Sequence, residues 1–271
     1  MRCLKGSLER FMLSFIAVFS VSIIMVSNAN AEDYRKLDNK AFNFGERLDY
    51  KVGYSFITAG NGYFQIMPMS VTQKDRKCFD IRFRVYSLES LRWIYQVDDA
   101  YRTILDVDGI FPWMFQQRIR EGKYTRDASA TFDQKNKKDY ENKKTYDMPP
   151  YVHDIVSAFY YVRTQNLKSM KNGQVFYLQN YFDGKTHKLG VKIHNRETIK
   201  VEAGTFKTIM IEPLVVDGGL FKSEGHIYIW LTDDENKIPV KVSTKILIGD
   251  VYAELTKYSG LLNKVTSKIG N

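Results

Sequence analysis

The chain reads as a mainly β protein: one large curved antiparallel sheet, a trough or open barrel of about a dozen strands, around a single central helix at about 152–168. Three observations predict this. Period-two alternation of apolar and polar residues recurs along most of the chain, and turn signals separate the alternating runs at hairpin spacing. Only one stretch, YVHDIVSAFYYVRTQNLK (Tyr151 to Lys168), repeats instead with the helical period. Strands twist, so a sheet this wide has to curl, and one helix with an apolar stripe is the natural plug for the resulting trough.

The first 31 residues read as a secretory signal. Arg2, Lys5 and Arg10 form a basic start, Phe11 to Val26 is apolar, and Ala29-Asn30-Ala31 is a small-x-small cleavage site before Glu32. The apolar run is shorter than the ~20 residues of a spanning helix, so no transmembrane span is expected after cleavage. Cys3 would leave with the signal, and Cys78 would remain as the sole cysteine, with no partner for an intramolecular disulfide. The formal charge of +9 would fall by two to +7, because the signal removes three basic residues and one acid, Glu9. A basic balance suits anionic surfaces as well as plain solubility. The dense basic run Lys135 to Lys144 is broken by Asp139 and Glu141 and reads as a solvated loop. It has no interleaved aromatic platform, so nucleic acid is not an expected partner.

The expected organisation after residue 31 is a loose polar leader (32–44), a β domain (45–258) in two halves (45–134 and 174–258) joined by the Lys-rich loop and the helix, and a tail (259–271). In the first half Leu48, Tyr50, Val52 and Tyr54 face one way and Arg47, Asp49 and Lys51 the other. Thr58 to Gly62 reads as a turn, with Tyr63 to Met67 returning. Phe79, Ile81, Phe83 and Val85 alternate with Asp80, Arg82, Arg84 and Tyr86, the cleanest strand in the chain. Next come a strand from about Trp93 to Asp106 with a bulge expected at Asp98-Asp99, a turn at Asp108-Gly109, and strands Trp113 to Arg120 and Tyr124 to Phe132 around Glu121-Gly122-Lys123. Pro149-Pro150 stops the ladder and feeds the helix.

On the helix, Val152, Ile155, Val156, Phe159 and Val162 form the stripe expected to face the sheet. Asp154 is placed to cap the N-terminus, Arg163 and Lys168 suit the other end of the dipole, and Lys171-Asn172-Gly173 is the expected stop. Phe159, Tyr160 and Tyr161 read as core and rim packing. The second half is a series of hairpins. Phe176 to Phe182 meets Lys185 to Ile193 through Asp183-Gly184, and Glu197 to Val201 meets Thr205 to Glu212 through Glu202-Ala203-Gly204. Gly225 to Leu231 then meets Ile238 to Leu247, and Val251 to Leu255 follows Gly249-Asp250. The tail, with Leu261, Leu262, Val265 and Ile269, reads as a short amphipathic helix or a frayed end.

No catalytic constellation stands out. The histidines His153, His187, His194 and His226 lack the i, i+4 spacing of a helical zinc site, and His187 and His194, seven apart on one strand, are expected on opposite faces. Nucleophile-elbow, phosphate-loop and dinucleotide motifs are missing, so no catalytic residue, metal or cofactor is assigned. Asp98-Asp99 and Asp233-Asp234-Glu235 read as strand and turn acids, and the role of Cys78 stays open.

Four segments carry a family resemblance: GERLDYKVGYSFITAGNGYFQI (Gly45 to Ile66), DIVSAFYYVR (Asp154 to Arg163), VEAGTFKTIMIEP (Val201 to Pro213) and IYIWLTDDENKIPVKVSTKILIGDVYAEL (Ile227 to Leu255). In this order the chain resembles exported bacterial proteins grouped as domain of unknown function 3108, which implies an exported, mostly β fold and transfers no active site. The architecture is also similar to periplasmic lipoprotein-carrier folds, which hold acyl chains in an apolar hollow. The expected function is therefore that of an exported, non-enzymatic envelope protein, periplasmic or else released, with an apolar or amphiphilic ligand or lipid in the curved sheet. The alternatives are an interaction module docking to an envelope protein or anionic polymer and, last, an envelope hydrolase.

Overall fold

The computed structural model describes residues 34–270 apart from 56, 142, 183, 216–225 and 247–248. The signal segment and Cys3, Asp183 of the expected turn, and the strand ends expected at Gly225 and Leu247 lie outside the described residues.

The first half contributes β1 (Arg47–Tyr54), β2 (Ile57–Ile66), β3 (Val71–Gln73), β4 (Arg76–Ser87), β5 (Asp98–Asp106), β6 (Pro112–Glu121), β7 (Tyr124–Asp133), β8 (Lys138–Glu141) and β9 (Lys144–Asp147). After the helix α1 (Ile155–Thr164) come β10 (Val175–Phe182), β11 (Lys185–Val201), β12 (Gly204–Val215), β13 (Ile227–Thr232), β14 (Pro239–Ile246), β15 (Gly249–Ser259) and β16 (Lys268–Ile269). All belong to one antiparallel sheet in the order β10-β11-β12-β13-β14-β15-β1-β2-β4-β5-β6-β7-β8-β9, with β3 on β4 and β16 on β12. The sheet is large, curved and antiparallel as expected, with more strands than the dozen anticipated. It stays open: β9 and β10 are its edges.

The helix touches both β5 and β10, which stand far apart in strand order, so the sheet curls around it. On one side Val152, Val156 and Tyr160 join a core with Phe42, Ile66, Phe79, Ile81, Leu105 and Phe132; on the other, Ala158 and Val162 join Leu178, Leu189, Ile193, Ile209 and Leu231. Burying such side chains supplies roughly 1.5–3 kcal/mol each before entropy, and here that burial links both halves of the chain to one helix. The open edges approach each other through side chains: Tyr181 on β10 donates its hydroxyl to Glu141 on β8 (2.5 Å) and its ring meets Phe132 on β7 edge-on. Residues just before the helix line the β10 edge, with His153 bridged to Asn180.

Several expectations change. The helix spans Ile155–Thr164, so Val152 precedes it, and Leu167–Ser169 forms a separate 3₁₀ turn that carries Lys168. Pro149-Pro150 and the Asp154 cap set the start; Gln165, already extended, sets the end, well short of Gly173. Thr58 to Gly62 is strand, not turn: a Cβ on Gly60 would lie 2.5 Å from the carbonyl oxygen of Tyr86, so the glycine serves close strand approach rather than reversal. The region from Trp93 is a turn with Trp93 itself exposed, β5 begins only at Asp98, and its bulge falls at Ile104/Leu105 rather than at the aspartate doublet. The Lys-rich run is the β8–β9 hairpin, whose Asp139 and Glu141 point inward and are buried. β11 is one long strand with an irregularity between Ile193 and Arg196 in place of two separate strands.

The leader is not loose. Ala41 and Phe42 are buried, and Arg35 donates from Nη2 to the carbonyl of Ile110 (2.6 Å). Nor does the tail form a helix or fray. Leu261 and Val265 pack on the cluster of Leu48, Phe206 and Leu255, β16 pairs with β12, and Asn263 donates to the carbonyl of Lys40.

Candidate functional site

The helix forms the floor of the trough, and polar contacts that sequence spacing does not reveal fix it there. Asp154 Oδ1 accepts from the backbone N–H groups of Val156 (2.8 Å) and Ser157 (2.9 Å), which have no helical acceptors of their own. Its Oδ2 accepts from the hydroxyls of Ser157 and Thr103, tying the cap to β5. At the other end Arg163, expected to suit the helix dipole, is fully buried. Its Nη1 and Nη2 donate to Glu46 Oε1 (2.6 Å) and Oε2 (2.7 Å), and its Nε and Nη2 to the carbonyl of Asn236 (3.1 and 3.0 Å). Burial opposes the Arg163 charge, and Glu46 outweighs it, raising the guanidinium above its usual range. The Phe42 and Tyr160 rings flank the guanidinium. The floor is thus bonded to the start of β1 and to the β13–β14 turn.

Of the residues expected to face the sheet, Val152, Val156 and Val162 are sealed in the core, while Ile155 and Phe159 stay half-buried. Phe159 stacks on Phe64 of β2 (5.0 Å, 20°), which stacks on Phe83 of β4 (4.2 Å), which stacks in turn on Tyr101 of β5 (5.5 Å). These rings form an aromatic row along the inner face, and all four are partly accessible.

The same gradient runs round the trough. On β1, β4, β13, β14 and β15 the inner residues level with the helix are buried: Leu48, Ile81, Leu231, Val240 and Leu255 are all 0% exposed. Two residues further toward the β1–β2 hairpin, or four on β1, Val52, Phe83, Ile229, Val242 and Ala253 remain partly accessible. Ile229, Val242, Ala253 and Val52 are directly paired neighbours, so they make one continuous apolar row across four strands. Glycine and alanine at positions 60, 62 and 253 keep this part of the wall thin. The rim beyond carries exposed apolar side chains, Ile57, Trp93, Ile94 and Tyr95 among them. The inner face is thus buried where it packs around the helix and apolar yet partly accessible beyond it.

The groups considered for chemistry are dispersed. Cys78 is buried, and burial together with Asp106 pushes its thiol up to about 12, far from a thiolate at neutral pH. His153 is buried with Nε2 3.2 Å from Arg35 Nη2, and burial, then Arg35, hold it well below its ordinary value. His194 and His226 both contact Glu212, at 2.6 Å for His194 Nε2, a cluster missed in the sequence because three separate segments supply it. Burial opposes the Glu212 charge, and the two imidazoles outweigh it to lower the carboxyl. Among the described residues no group of three or more His, Cys, Asp or Glu is arranged to hold a metal ion. Asp98 and Asp99 face opposite sides of β5: Asp98 meets Arg84, and Asp99 accepts from the backbone N–H of Arg120. Among the described residues no helix is long and apolar enough to cross a membrane.

Among solved structures, the chain is similar to a beta-barrel-like protein of domain of unknown function DUF1849 from Brucella abortus, at 11% identity and a TM-score of 0.53, over 81% of this chain and 99% of that one. It also matches a candidate exported protein with a YmcC-like fold from Bacteroides fragilis (10% identity, TM-score 0.34, 81% and 97% covered). A candidate lipoprotein from Parabacteroides distasonis matches at 11% identity and a TM-score of 0.36, with 83% and 100% covered. No match is found among curated proteins. The model of a family described as protein of unknown function, DUF3108, matches residues 49–256, from within β1 to within β15, and the chain belongs to that family.

Proposed function

We propose that the protein is an exported, non-enzymatic envelope component that holds an apolar or amphiphilic ligand in the part of the trough the helix does not fill. One observation carries the reading: the inner wall is sealed at helix level and stays apolar yet accessible beyond it, along Ile229, Val242, Ala253 and Val52 and along the Phe64–Phe83–Tyr101 row. Each methylene moved there from water contributes ~0.8 kcal/mol, so a ten-carbon segment gains roughly 8 kcal/mol before the costs of binding. The exposed Trp93, Ile94 and Tyr95 at the rim suit the entry of an amphiphile. Export is supported by the signal pattern of residues 1–31, and the periplasm is the favoured destination. The interaction-module alternative is weaker, because the β10 edge is partly covered by His153 and the β9 edge is four residues long.

The test is native mass spectrometry and solvent extraction of protein purified from an envelope fraction, with uptake of a fluorescent apolar probe as a second readout. The wild type should carry lipid and take up probe. Ala253→Phe, which fills the hollow from β15, should lose both while keeping its thermal midpoint within a few degrees. Wild-type protein free of lipid and blind to the probe, or a variant that binds as well as wild type, would overturn the proposal.

A further inference from the structure

The opposite, outer face of the sheet carries a second feature, independent of the hollow. There β4, β5, β6 and β7 surround a depression of about 700 Å³ above Ala100. The register puts Arg82 directly opposite Arg102, and Ala100 between Arg84 and Arg118. Four guanidinium groups therefore surround the methyl group of Ala100, with Tyr63, Gln116 and Ser129 also lining the depression. Like charges facing each other on adjacent strands cost a sheet stability, and a wall built for stability alone would pair each arginine with its own acid.

Here four arginines share two acids. Asp80 accepts from Arg82 (3.0 Å) and Arg102 (2.9 Å), and Asp98 from Arg84 (2.9 Å) and Arg118 (3.2 Å). The ring keeps two positive charges beyond its own carboxylates. The layering is also uneven: the acid side chains are 5% and 16% exposed, whereas the four arginines are 38–47% exposed. Anions lie beneath and cations on top. Arg82 and Arg102 grip Asp80 through Nε and Nη2, and a guanidinium has a second two-pronged edge, Nη1 with Nη2, that matches phosphoryl oxygens. Asp127, opposite Arg118 on β7, also lines the depression, and its charge is met by Arg120 (2.8 Å).

We propose that this depression binds a phosphoryl group carrying about two negative charges, either on a lipid headgroup or on a soluble phosphate compound. The two unshared charges match it, the Ala100 floor gives it clearance, and four oriented donors can reach it without reorganising the sheet. Because the ring is exposed, binding weakens as salt rises.

The experiment uses the full chain at low salt. Titration calorimetry with inorganic phosphate reads the soluble source; cosedimentation with phosphatidylcholine vesicles, with and without phosphatidic acid, reads the lipid source. Binding in either arm, weakened on the order of tenfold or more in whichever of Ala100→Glu and Arg84→Gln/Arg118→Gln folds, supports the proposal. The first variant keeps all four arginines and sets a carboxylate on the floor, and the second covers the case in which the first fails to fold. Lys168→Gln, on the distant 3₁₀ turn, should bind as wild type, and Ala253→Phe should lose the apolar ligand yet keep the anion. No binding in either arm, or undiminished binding by folded variants, would overturn the proposal.

Discussion

At the scale of single residues the most consequential group is Arg163. Its side chain is 0% exposed and that of Glu46 1%, so either charge alone would be stranded in the core. Taking one partner from a buried pair costs ~3–5 kcal/mol, whereas replacing both with apolar groups of similar volume is often near neutral. Arg163→Met should therefore lower unfolding stability in urea by about that amount, and Glu46→Leu/Arg163→Met should recover most of it. A loss below about 1 kcal/mol for Arg163→Met would show that the pair does not lock the helix. His153 makes a second prediction. Burial and Arg35 hold its folded pKa well below 6.5, so at falling pH the unfolded chain takes up a proton that the folded chain refuses. Its contribution is present above ~6.5 and is lost as pH falls below that value toward the folded pKa. His153→Phe should flatten the decline of stability between about pH 7 and pH 5 relative to wild type, measured by denaturant titration at each pH. An unchanged slope would show that His153 does not carry the decline.

At the scale of elements, what the sequence made legible follows from period and capping chemistry. The alternation of Phe79, Ile81, Phe83 and Val85 marks β4 because one face packs on the helix and the other meets water and Asp98. Asp154 marks the helix start because its carboxylate accepts from two of the orphan N–H groups. Gly60 and Gly62 misled because glycine signals a turn locally, while the reason for it here is a neighbouring strand that local sequence does not display. The Lys-rich hairpin misled for a related reason. Its lysines do face solvent, but Asp139 and Glu141 alternate with them inward, and Glu141 acquires a partner, Tyr181, 40 positions away. The apolar period of the helix was readable; the contacts that hold the helix in place were not. Glu46 and Arg163 lie 117 positions apart, and the outer arginine ring exists only once the register of β4, β5 and β6 is set.

At the scale of the molecule, the chain order makes two halves, but the hydrogen bonds do not respect that division. β15, near the C-terminal end, pairs with β1 along its whole length, so the middle of the sheet is built from opposite ends of the chain. The helix then packs on both halves, and the leader and tail bond to each other through Asn263 and Lys40. Neither half retains a closed core without the other, so they should unfold together. Tryptophan supplies the reporters: Trp113 is buried on β6 in the first half, and Trp230 lies on β13 in the second. Two proteins, each keeping one of these and carrying phenylalanine at the other and at the exposed Trp93, should show the same midpoint and slope in urea by fluorescence. Folding should be slow, on the order of milliseconds to seconds, because the central β1–β15 pairing must close almost the whole chain before it contributes. If the Trp113 and Trp230 transitions separate, each half holds its own core and the helix is a connection between domains.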